Sequence, residues 1–438
     1  TPRTASKKIA KALIGLLLVL LLIPLGLWLY LRGSLAQQSG TVNAAGLSAP
    51  VSVERDGLGI PTVRAQSRSD AAYVLGFVHA QDRFFEMDLL RRVASGELAE
   101  LIGSSALPLD RRTRLHRFRA RAQAAIAASS AEDVALIERY VQGVNDGLHA
   151  LSSRPFEYAL LRSEPVPWRK EDSLLVVWAM YFDLQGNLQP REVGRGYLRE
   201  HSTKEQLDFL LPTSSKWEAP LDAASIPEPP PPIPATAPAW LGRDSARQLT
   251  LRESLRMAVG SNNWALAASR TTDGRAVVAN DMHLGIRLPH IWYRATLEFP
   301  GRDAKPVRVS GVTLPGAPAV VVGSNGNVAW GFTNSYGDYL DLIDLARDPQ
   351  NRQRFQNGKD WETATVYQES IRVKGAASET LVVTETSLGP VIEVGSHTYA
   401  VHWIAHHPRA VNLGLLQMTE AKTLAEAQTI GNRAGMPA

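Results

Sequence analysis

The sequence contains no cysteine among its 438 residues. This absence excludes disulfide bonds, thiolate metal sites and a cysteine nucleophile. Covalent catalysis by this chain therefore has to use an oxygen or a nitrogen nucleophile. Three common signatures are also missing: the G-x-S-x-G nucleophile elbow, the H-E-x-x-H zinc helix and the Walker A loop. The most frequent hydrolase, zinc-protease and nucleotide-binding patterns are thus excluded.

The chain has little excess charge outside its N-terminus. Its formal net charge is +4 and its pI is near 9.2. Residues 1–33 contain five basic residues and no acid, and subtracting these five from +4 leaves the remaining chain at −1. The high pI therefore belongs to the N-terminal segment, and we expect no nucleic-acid partner.

One long apolar run is present, in residues 12–31. These twenty residues carry no charge, and a helix of this length, at about 1.5 Å per residue, spans roughly 30 Å of hydrocarbon. More basic residues precede the run than follow it, which predicts a cytoplasmic N-terminus and a globular part that faces the periplasm or exterior. We assign residues 1–33 to a flank and transmembrane anchor in the inner membrane. A cleaved signal peptide is the alternative, since Ser34-Leu35-Ala36 resembles a cleavage site.

The remaining chain predicts an α+β protein in which helices come first and strands follow. A short linker at 34–50 leads into residues 51–225, where apolar residues recur mostly at helical spacing. Residues 226–239 are too rich in proline for a helix or a sheet, so we expect an extended spacer, which we place at 226–260. From 261 to 438 the apolar period is mainly two, which is typical of strands.

The individual elements follow from the same periodicities. Helices are predicted at 69–96, 122–128, 134–148, 173–184 and 424–430. Strands are predicted at 51–56, 275–280, 291–299, 307–313, 318–322, 327–331, 380–385 and 398–403.

One short segment points to nucleophilic catalysis. Gly260 and Ser261 stand at a break of small residues that opens into a strand. A serine hydroxyl is a weak nucleophile at neutral pH and needs a base within hydrogen-bond reach. Cleavage of the Gly260–Ser261 bond would free an α-amino group whose ordinary pKa of roughly 7.7 to 8.0 suits proton transfer. From these residues alone, an ordinary turn remains the more common interpretation.

Three histidines near the end of the chain suggest a metal cluster at first sight. His402, His406 and His407 are close in sequence, but no carboxylate lies near them. We therefore expect ordinary polar surface at this place.

Several motifs in order resemble the penicillin acylase (penicillin amidase) family of N-terminal-nucleophile hydrolases, from about residue 51 onward. Resemblance to the start of the family's β-chain lies in Gly260-Ser-Asn-Asn-Trp264, Ala279-Asn-Asp-Met-His-Leu284, Gly311-Val-Thr-Leu-Pro-Gly316 and Gly323-Ser-Asn-Gly-Asn-Val-Ala-Trp-Gly331. Resemblance to the α-chain opening lies in Arg55-Asp56, Gly59-Ile-Pro61, Leu75-Gly-Phe-Val-His-Ala-Gln-Asp-Arg83, Met87, Arg91-Arg92, Gly96 and Leu98-Ala-Glu100. Several motifs in the same order are far more specific than any one of them.

The resemblance implies a self-processed amidohydrolase with a four-layer αββα sandwich. The precursor would cut itself before Ser261, and the resulting α- and β-chains would stay associated. Ser261 would attack the amide carbonyl of an N-acyl substrate, and water would then hydrolyse the acyl-enzyme. In the family pattern, the backbone N–H at the position of Asn334 donates a hydrogen bond to the oxyanion. The pattern also places His283 beside the nucleophile as a supporting residue. A turn residue and a structural histidine are the respective alternatives.

The resemblance also implies an acyl pocket and a structural calcium site. The pocket positions are Met180, Leu184, Leu284, Val322 and Phe332, which suit a straight or branched acyl chain better than a phenylacetyl group. Simple core packing is the alternative for each of them. The oxygen ligands for Ca²⁺ would be Glu192, Asp338, the carbonyl of Leu340, and Asp341. Acids at this spacing are also common in ordinary loops.

The family's β-chain continues beyond the position of Ala438, so we expect a second oxyanion donor and part of the pocket to lie further on. The substrate stays open between a β-lactam side chain and another acyl amide. An acyl-homoserine lactone acylase of the same fold is one alternative. A catalytically incomplete, membrane-tethered fragment with a binding or scaffold role is the other.

Overall fold

Helices dominate the first half of the chain, as the helical spacing predicts. The computed structural model describes residues 2–213, 230–242, 261–335 and 337–437. The helices are α1 (Pro2–Gly33), α2 (Arg68–Ser95), α3 (Ala99–Ile102), α4 (Leu107–Arg114), α5 (Phe118–Ala127), α6 (Ala131–His149), α7 (Phe156–Leu160), α8 (Lys170–Gln185), α9 (Leu188–His201), α10 (Lys204–Leu210) and, near the end, α11 (Leu424–Arg433).

Strands dominate the second half. They are β1 (Ser52–Arg55), β2 (Pro61–Arg64), β3 (Ser261–Leu266), β4 (Val277–Met282), β5 (Tyr293–Pro300), β6 (Pro306–Thr313), β7 (Val320–Ser324), β8 (Ala329–Trp330), β9 (Leu340–Asp344), β10 (Arg354–Asn357), β11 (Asp360–Thr363), β12 (Thr365–Ile371), β13 (Glu379–Thr386), β14 (Gly389–Val394) and β15 (His397–Trp403).

The predicted order of helices followed by strands is confirmed. Each predicted helix and strand overlaps an observed one, with ends shifted by a few residues. Strands β2, β9 to β12 and β14 were not predicted, because most of them are short and period-two alternation is weak over so few residues. The part of the proline-rich spacer that is described, residues 230–242, contains neither helix nor strand. Gly260 and the rest of the predicted spacer lie outside the described residues.

The largest sheet joins the two halves of the chain. Its strand order is β1-β2-β5-β6-β7-β8. Strand β2 pairs in parallel with β5, and the other neighbours are antiparallel. A five-stranded sheet follows the order β12-β13-β14-β15-β9, and β3 and β4 form a separate two-stranded ribbon. Backbone hydrogen bonds between β2 and β5 therefore connect residues on either side of the predicted processing site.

Close packing of α2 against α6 forms the centre of the helical half. Glycines at Gly76, Gly143 and Gly147 let the two backbones approach, since a Cβ atom at any of them would overlap the opposite helix. Tyr73 and Tyr140, which lie beside these glycines, are completely buried. Substitution of these glycines by a larger residue would force the helices apart.

A buried hydrogen-bond chain joins α2 and α6 to the large sheet. Tyr140 donates its hydroxyl proton to Nδ1 of His79 over 2.7 Å, and Nε2 of His79 donates to Thr313 Oγ1 over 2.9 Å. The direction follows because the Thr313 hydroxyl itself donates to the carbonyl of Tyr293, at 2.9 Å. Burial lowers the pKa of the fully buried His79 imidazole to about 3, with a smaller contribution from the charge of Arg83.

A buried ionic network fixes α8 to α2. Asp88, completely buried in α2, accepts from Arg91, Arg92 and the hydroxyl of Tyr158. Arg91 also pairs with Asp172 in the first turn of α8, at 2.6 Å. The buried carboxylates of Asp88 and Asp172 are each paired with arginine. Removal of one partner would therefore leave an unpaired buried charge. The network determines the position of α8.

The N-terminal helix α1 contacts the globular part at its C-terminal end. The amide of Ser153 donates to the carbonyl of Gly33 at 3.0 Å, and Tyr30 donates to the carbonyl of Arg154 at 3.2 Å. Within α1, Leu13–Gly33 is 21 residues long with a mean hydropathy of 2.6, and none of it is buried. Such a helix is compatible with a membrane span or with a signal sequence.

The expectation of ordinary polar surface at the three C-terminal histidines is wrong for His406. Its Nε2 lies 2.9 Å from Nδ1 of the buried His116, among the rings of Phe118 and Trp403. Burial lowers the pKa of His116 to about 3 and that of His406 well below its usual value. Folding brings α4, α5 and β15 together at this place, which sequence spacing does not reveal.

We expect the free energy of unfolding to decrease when the pH is lowered from about 7 to about 5. The folded-state pKa values of His79 and His116 are lowered to about 3, so the unfolded chain takes up protons that the folded chain does not. This stabilisation is complete above the ordinary histidine pKa of about 6.5 and is lost progressively toward pH 3, at up to about 1.4 kcal/mol per pH unit for each group. Urea unfolding of the full-length protein at several pH values measures it.

The variant His79→Gln tests this assignment directly. Its neutral amide has no imidazole to titrate, so we expect lower stability at pH 7 but a shallower dependence on pH. His149→Gln, at an exposed position of α6, is the matched control and should keep the wild-type slope. An unchanged slope in His79→Gln would contradict a neutral buried imidazole.

Candidate active site

Ser261 begins strand β3 and lies opposite Met282 at the end of β4. Ser261 is partly buried, whereas the other residues of β3 are exposed. The strand therefore presents its first residue to the interior of the protein. A free amino group on Ser261 would lie at the same end of the strand as the hydroxyl.

An apolar cavity of about 120 Å³ lies beside Ser261. For comparison, a dry apolar cavity of about 150 Å³ binds benzene in another protein. Its walls come from α8, the end of β4, the turn between β6 and β7, the segment after β8, and two C-terminal segments. The lining residues are Ser173, Leu174, Val177, Met180, Leu184, Ser261, Met282, Leu284, Trp292, Leu314, Ala317, Pro318, Ala319, Val321, Phe332, Thr333, Asn334, Asn412, Leu413, Leu415, Leu416, Gly435, Met436 and Pro437.

Three hydrogen bonds hold the α8 wall of the cavity against the second half of the chain. Trp403 donates its indole N–H to Gln185 Oε1 at 2.8 Å. In return, Trp178 and Tyr181 donate to the carbonyls of Ala405 and Ala410, each at 3.0 Å. All three aromatic side chains are buried, so each polar group satisfies a partner that has no access to water. The cavity wall is thereby rigid.

Asn412 closes the opposite wall. Its Nδ2 donates to the carbonyl of Arg433 at 2.9 Å, and its Oδ1 accepts from the amide of Gly435 at 3.0 Å. The same oxygen accepts from the amide of Gly414 at 2.8 Å. One side chain thus joins the segment after α11 to the segment before it, where both contact the cavity.

Six of the eight predicted catalytic and pocket residues lie at this cavity. The lining includes Ser261 and Asn334, which are predicted to take part in catalysis. Of the predicted pocket residues, Met180, Leu184, Leu284 and Phe332 line it. The structure shows that these residues lie together at the cavity. Their roles in catalysis and acyl binding stay predictions.

Strand β7 contributes a neighbour of the predicted pocket residue Val322 to the cavity wall. Val322 does not line the cavity, whereas its neighbour Val321 does. In the pairing of β6 with β7, Val312 faces Val322 and Thr313 faces Val320, which leaves Val321 as the extra residue of a β-bulge. A bulge changes the direction of a side chain relative to regular alternation. Alignment by sequence position cannot reveal such a change.

His283 lies outside the cavity lining. It is exposed, and its Nε2 is 2.8 Å from Asp281 Oδ2. Asp281 belongs to β4, and His283 directly follows that strand. The predicted supporting role of His283 is not tested by this geometry.

The predicted calcium ligands come from two neighbouring elements. Helix α9, which contains Glu192, packs against β9, which contains Leu340 and Asp341. Glu192 pairs with Arg195 at 3.3 Å, and Asp338 is exposed. Within the part of the chain that is described, no three acidic or histidine side chains are gathered as a metal-binding group. The calcium site stays a prediction.

Several residues of this region were not predicted from the sequence. Among them, Trp292 and Val321 line the cavity, and Asn280 contacts both the strand of Ser261 and the loop of Phe332. Asn280 belongs to one of the motifs that resemble the family. Its side-chain amide, between a strand and a loop about fifty residues apart, forms contacts that only the tertiary structure shows.

Comparison with known proteins supports the resemblance seen in the motifs. The family model for penicillin amidase matches residues 50–438. The acyl-homoserine lactone acylase QuiP of Pseudomonas aeruginosa is 33% identical over 361 residues, which are 82% of this chain and 42% of that protein. The penicillin acylase 2 proenzyme of Pseudomonas sp. strain SE83 is 33% identical over 83% of this chain and 46% of that protein.

More distant similarity extends to penicillin G acylases. The Escherichia coli enzyme is 24% identical over 81% of this chain and 47% of that protein. A solved structure of the thermostable penicillin G acylase of Alcaligenes faecalis, in tetragonal form, aligns with a TM-score of 0.35 and 27% identity over 43% of this chain and 98% of that chain. This chain thus spans less than half the length of the curated relatives described here.

The predicted acyl pocket can be tested with Val321→Ala, which we expect to shift the preferred ligand toward a straight-chain fatty acid of greater length. The substitution removes two carbons from the wall, and each additional buried methylene should strengthen binding about fourfold, from roughly 0.8 kcal/mol. Calorimetric titration of the full-length protein with straight-chain fatty acids of increasing length measures the preference. Val322→Ala removes the same atoms next to the cavity and should keep the wild-type preference. Equal shifts in both variants would contradict the bulge assignment.

Proposed function

Because this chain belongs to the penicillin amidase family, we propose that it is the N-terminal portion of an amidohydrolase that releases the acyl group of an N-acyl amide. The observation that supports this most directly is the location of Ser261 and Asn334 at one apolar cavity. A nucleophile, an oxyanion donor and an apolar wall are the three parts that acyl transfer requires.

The proposed nucleophile is the hydroxyl of Ser261, made reactive by cleavage of the peptide bond that precedes it. The freed α-amino group would accept the hydroxyl proton during attack and donate it to the leaving amine. Water, deprotonated by the same amine, would then attack the acyl-serine ester and release the acid. In this mechanism the base is the α-amino group of Ser261 itself, so no histidine is needed as a base. The location of His283 outside the cavity lining agrees with this.

The proposed oxyanion donor is the backbone N–H of Asn334. A preorganised donor of this kind contributes on the order of 3 kcal/mol to the stabilisation of the transition state. The apolar lining next to it excludes water, which strengthens the interaction of the amide dipole with a developing negative charge. Leu184, Leu284 and Met180 make the wall largely aliphatic, so we propose a short straight or branched acyl group.

We propose that the two chains produced by processing stay associated in a four-layer αββα fold. Parallel pairing of β2 with β5 supports this, because the pairing joins residues on both sides of the cleavage point. The hydrogen bonds between α8 and the segments around Trp403 and Ala410 support it as well. Cleavage before Ser261 would leave all of these contacts intact.

We propose that α1 anchors the protein in the cytoplasmic membrane with the globular part on the periplasmic side. The apolar length of Leu13–Gly33 supports this location, as does the excess of basic residues at the N-terminus. The contacts of Tyr30 and Gly33 with residues 153–154 would hold the globular part close to the membrane surface.

Replacement of the nucleophile tests the proposal. We expect the wild-type full-length protein to be recovered as two fragments, one of which begins at Ser261, and Ser261→Ala to be recovered intact and without amide hydrolysis. N-terminal sequencing, mass spectrometry and turnover of an N-acyl amide measure the three outcomes. Ser269→Ala, at an exposed position nearby, is the matched control and should behave as wild type. An intact, inactive wild-type protein would favour the membrane-tethered binding role.

A substrate panel decides the acyl group and the leaving group. We expect kcat/KM for short aliphatic acyl amides to exceed that for the phenylacetyl amide by about tenfold, or roughly 1.4 kcal/mol, because the wall is largely aliphatic. The same acyl groups attached to homoserine lactone and to a β-lactam nucleus distinguish the two activities named for the relatives. Preference for phenylacetyl over every aliphatic chain would contradict the proposed pocket.

A further inference from the structure

We infer that Asn280 is a positioning residue that holds the nucleophile strand and the oxyanion loop in one fixed arrangement. The inference rests on the proposed function of Ser261. It adds a residue whose side chain does not line the cavity and whose effect on the reaction would be exerted through the two backbone segments that it joins.

The Asn280 amide contacts both segments. Its Nδ2 donates to the carbonyl of Asn262, the residue after the nucleophile, at 3.0 Å. The same nitrogen donates to the carbonyl of Phe332 at 2.8 Å, and Oδ1 accepts from the amide of Phe332 at 3.1 Å. Phe332 stands two residues before Asn334, the proposed oxyanion donor. One side chain therefore spans the two groups that must meet at the substrate carbonyl.

The arrangement requires an amide. Asn280 contacts both the N–H and the C=O of Phe332, as a paired residue does in an antiparallel ladder. A carboxylate has two acceptors and would oppose the carbonyls of Asn262 and Phe332 with negative charge. An apolar side chain would leave three backbone groups without these partners. The two hydrogen bonds to Phe332 also establish which end of the amide is nitrogen.

Gly331 provides independent support for the same contact. A Cβ atom at this position would lie 2.8 Å from Asn280 Oδ1 and 3.0 Å from its Cγ. Such a distance is too short for real Cβ atoms, so the absence of a side chain at Gly331 is what lets the amide approach the Phe332 backbone. The glycine and the asparagine form one unit.

Among the described residues, backbone pairing between strands does not connect the strand of Ser261 to the loop of Phe332. Strands β3 and β4 form their own two-stranded ribbon, whereas β8, just before Gly331, belongs to the six-stranded sheet. The side chain of Asn280 thus supplies a polar connection between the ribbon and the loop where the two sheets do not share a ladder. Displacement of a reacting group by about 1 Å costs on the order of 100-fold in rate.

The test compares Asn280→Ala, Asn280→Asp and Gly331→Ala in the full-length protein. We expect self-cleavage before Ser261 to be slower by about 100-fold in Asn280→Ala, because the same hydroxyl performs that reaction. For the cleaved fraction, kcat is normalised to the concentration of chains that begin at Ser261. This kcat should fall by about 100-fold relative to wild type, while KM stays within about threefold of the wild-type value. Gly331→Ala should reproduce the direction of both effects.

The pH profile of Asn280→Asp separates positioning from general structural damage. Protonation gives the aspartic acid one donor and one acceptor, which restores part of the amide pattern. We therefore expect the ratio of its kcat to the wild-type kcat to rise as the pH is lowered from about 7 to about 5. Asn351→Ala, which removes one turn hydrogen bond at an exposed loop, is the control and should match wild type in every measurement.

Three outcomes distinguish the hypotheses. An unsplit Asn280→Ala protein with wild-type near-ultraviolet circular dichroism supports the inference, since folding is then intact and the reaction is lost. Cleavage and kcat of Asn280→Ala within about threefold of wild type would overturn it, provided that Ser261→Ala is inactive. If Asn280→Ala does not fold, Gly331→Ala decides by the same criteria. Turnover by Ser261→Ala would instead overturn the proposed function itself.

Discussion

A buried hydrogen-bond chain from Tyr140 through His79 and Thr313 to Tyr293 connects the helical half of the protein to the large sheet. It lies where α2, α6 and the large sheet meet, and every donor in it has one acceptor. The Tyr140 hydroxyl also accepts from the amide of Gly316 at 2.9 Å, in the turn that lines the cavity. Because these groups are buried, an unpaired member would cost about 1 to 3 kcal/mol. The same interactions thus hold the helical half, the sheet and one cavity wall together.

The candidate active site is assembled from elements that are distant in sequence, each held by polar contacts of its own. The ionic network around Asp88 positions α8, and Trp403 and Gln185 join that helix to the second sheet. Asn412 holds the C-terminal wall, and Asn280 contacts the strand of Ser261 and the loop of Asn334. The cavity between them is largely apolar, and most of the hydrogen bonds that hold its walls are made by residues outside its lining.

Motif order located the candidate site well, but side-chain direction was beyond its reach. Ser261, Asn334 and four of the five predicted pocket residues lie at one cavity. In β7 a bulge presents Val321 to this cavity, next to the predicted pocket residue Val322. His406 was assigned to the surface because its partner His116 is 290 residues away in sequence. Both features depend on contacts between residues that local periodicity does not relate.

The order of helices before strands, the apolar N-terminal run, the lack of thiol chemistry and the family could all be predicted from the amino-acid sequence. Each of these depends on composition, on local periodicity or on the order of motifs, which can be read along the chain. The folded structure was needed to show which side chains share a cavity, which histidines are buried, and how Asn280 joins two segments. Those features depend on the crossing of elements and on the direction of each Cβ atom, and a single bulge or a close approach at a glycine changes them without any change in the pattern along the chain.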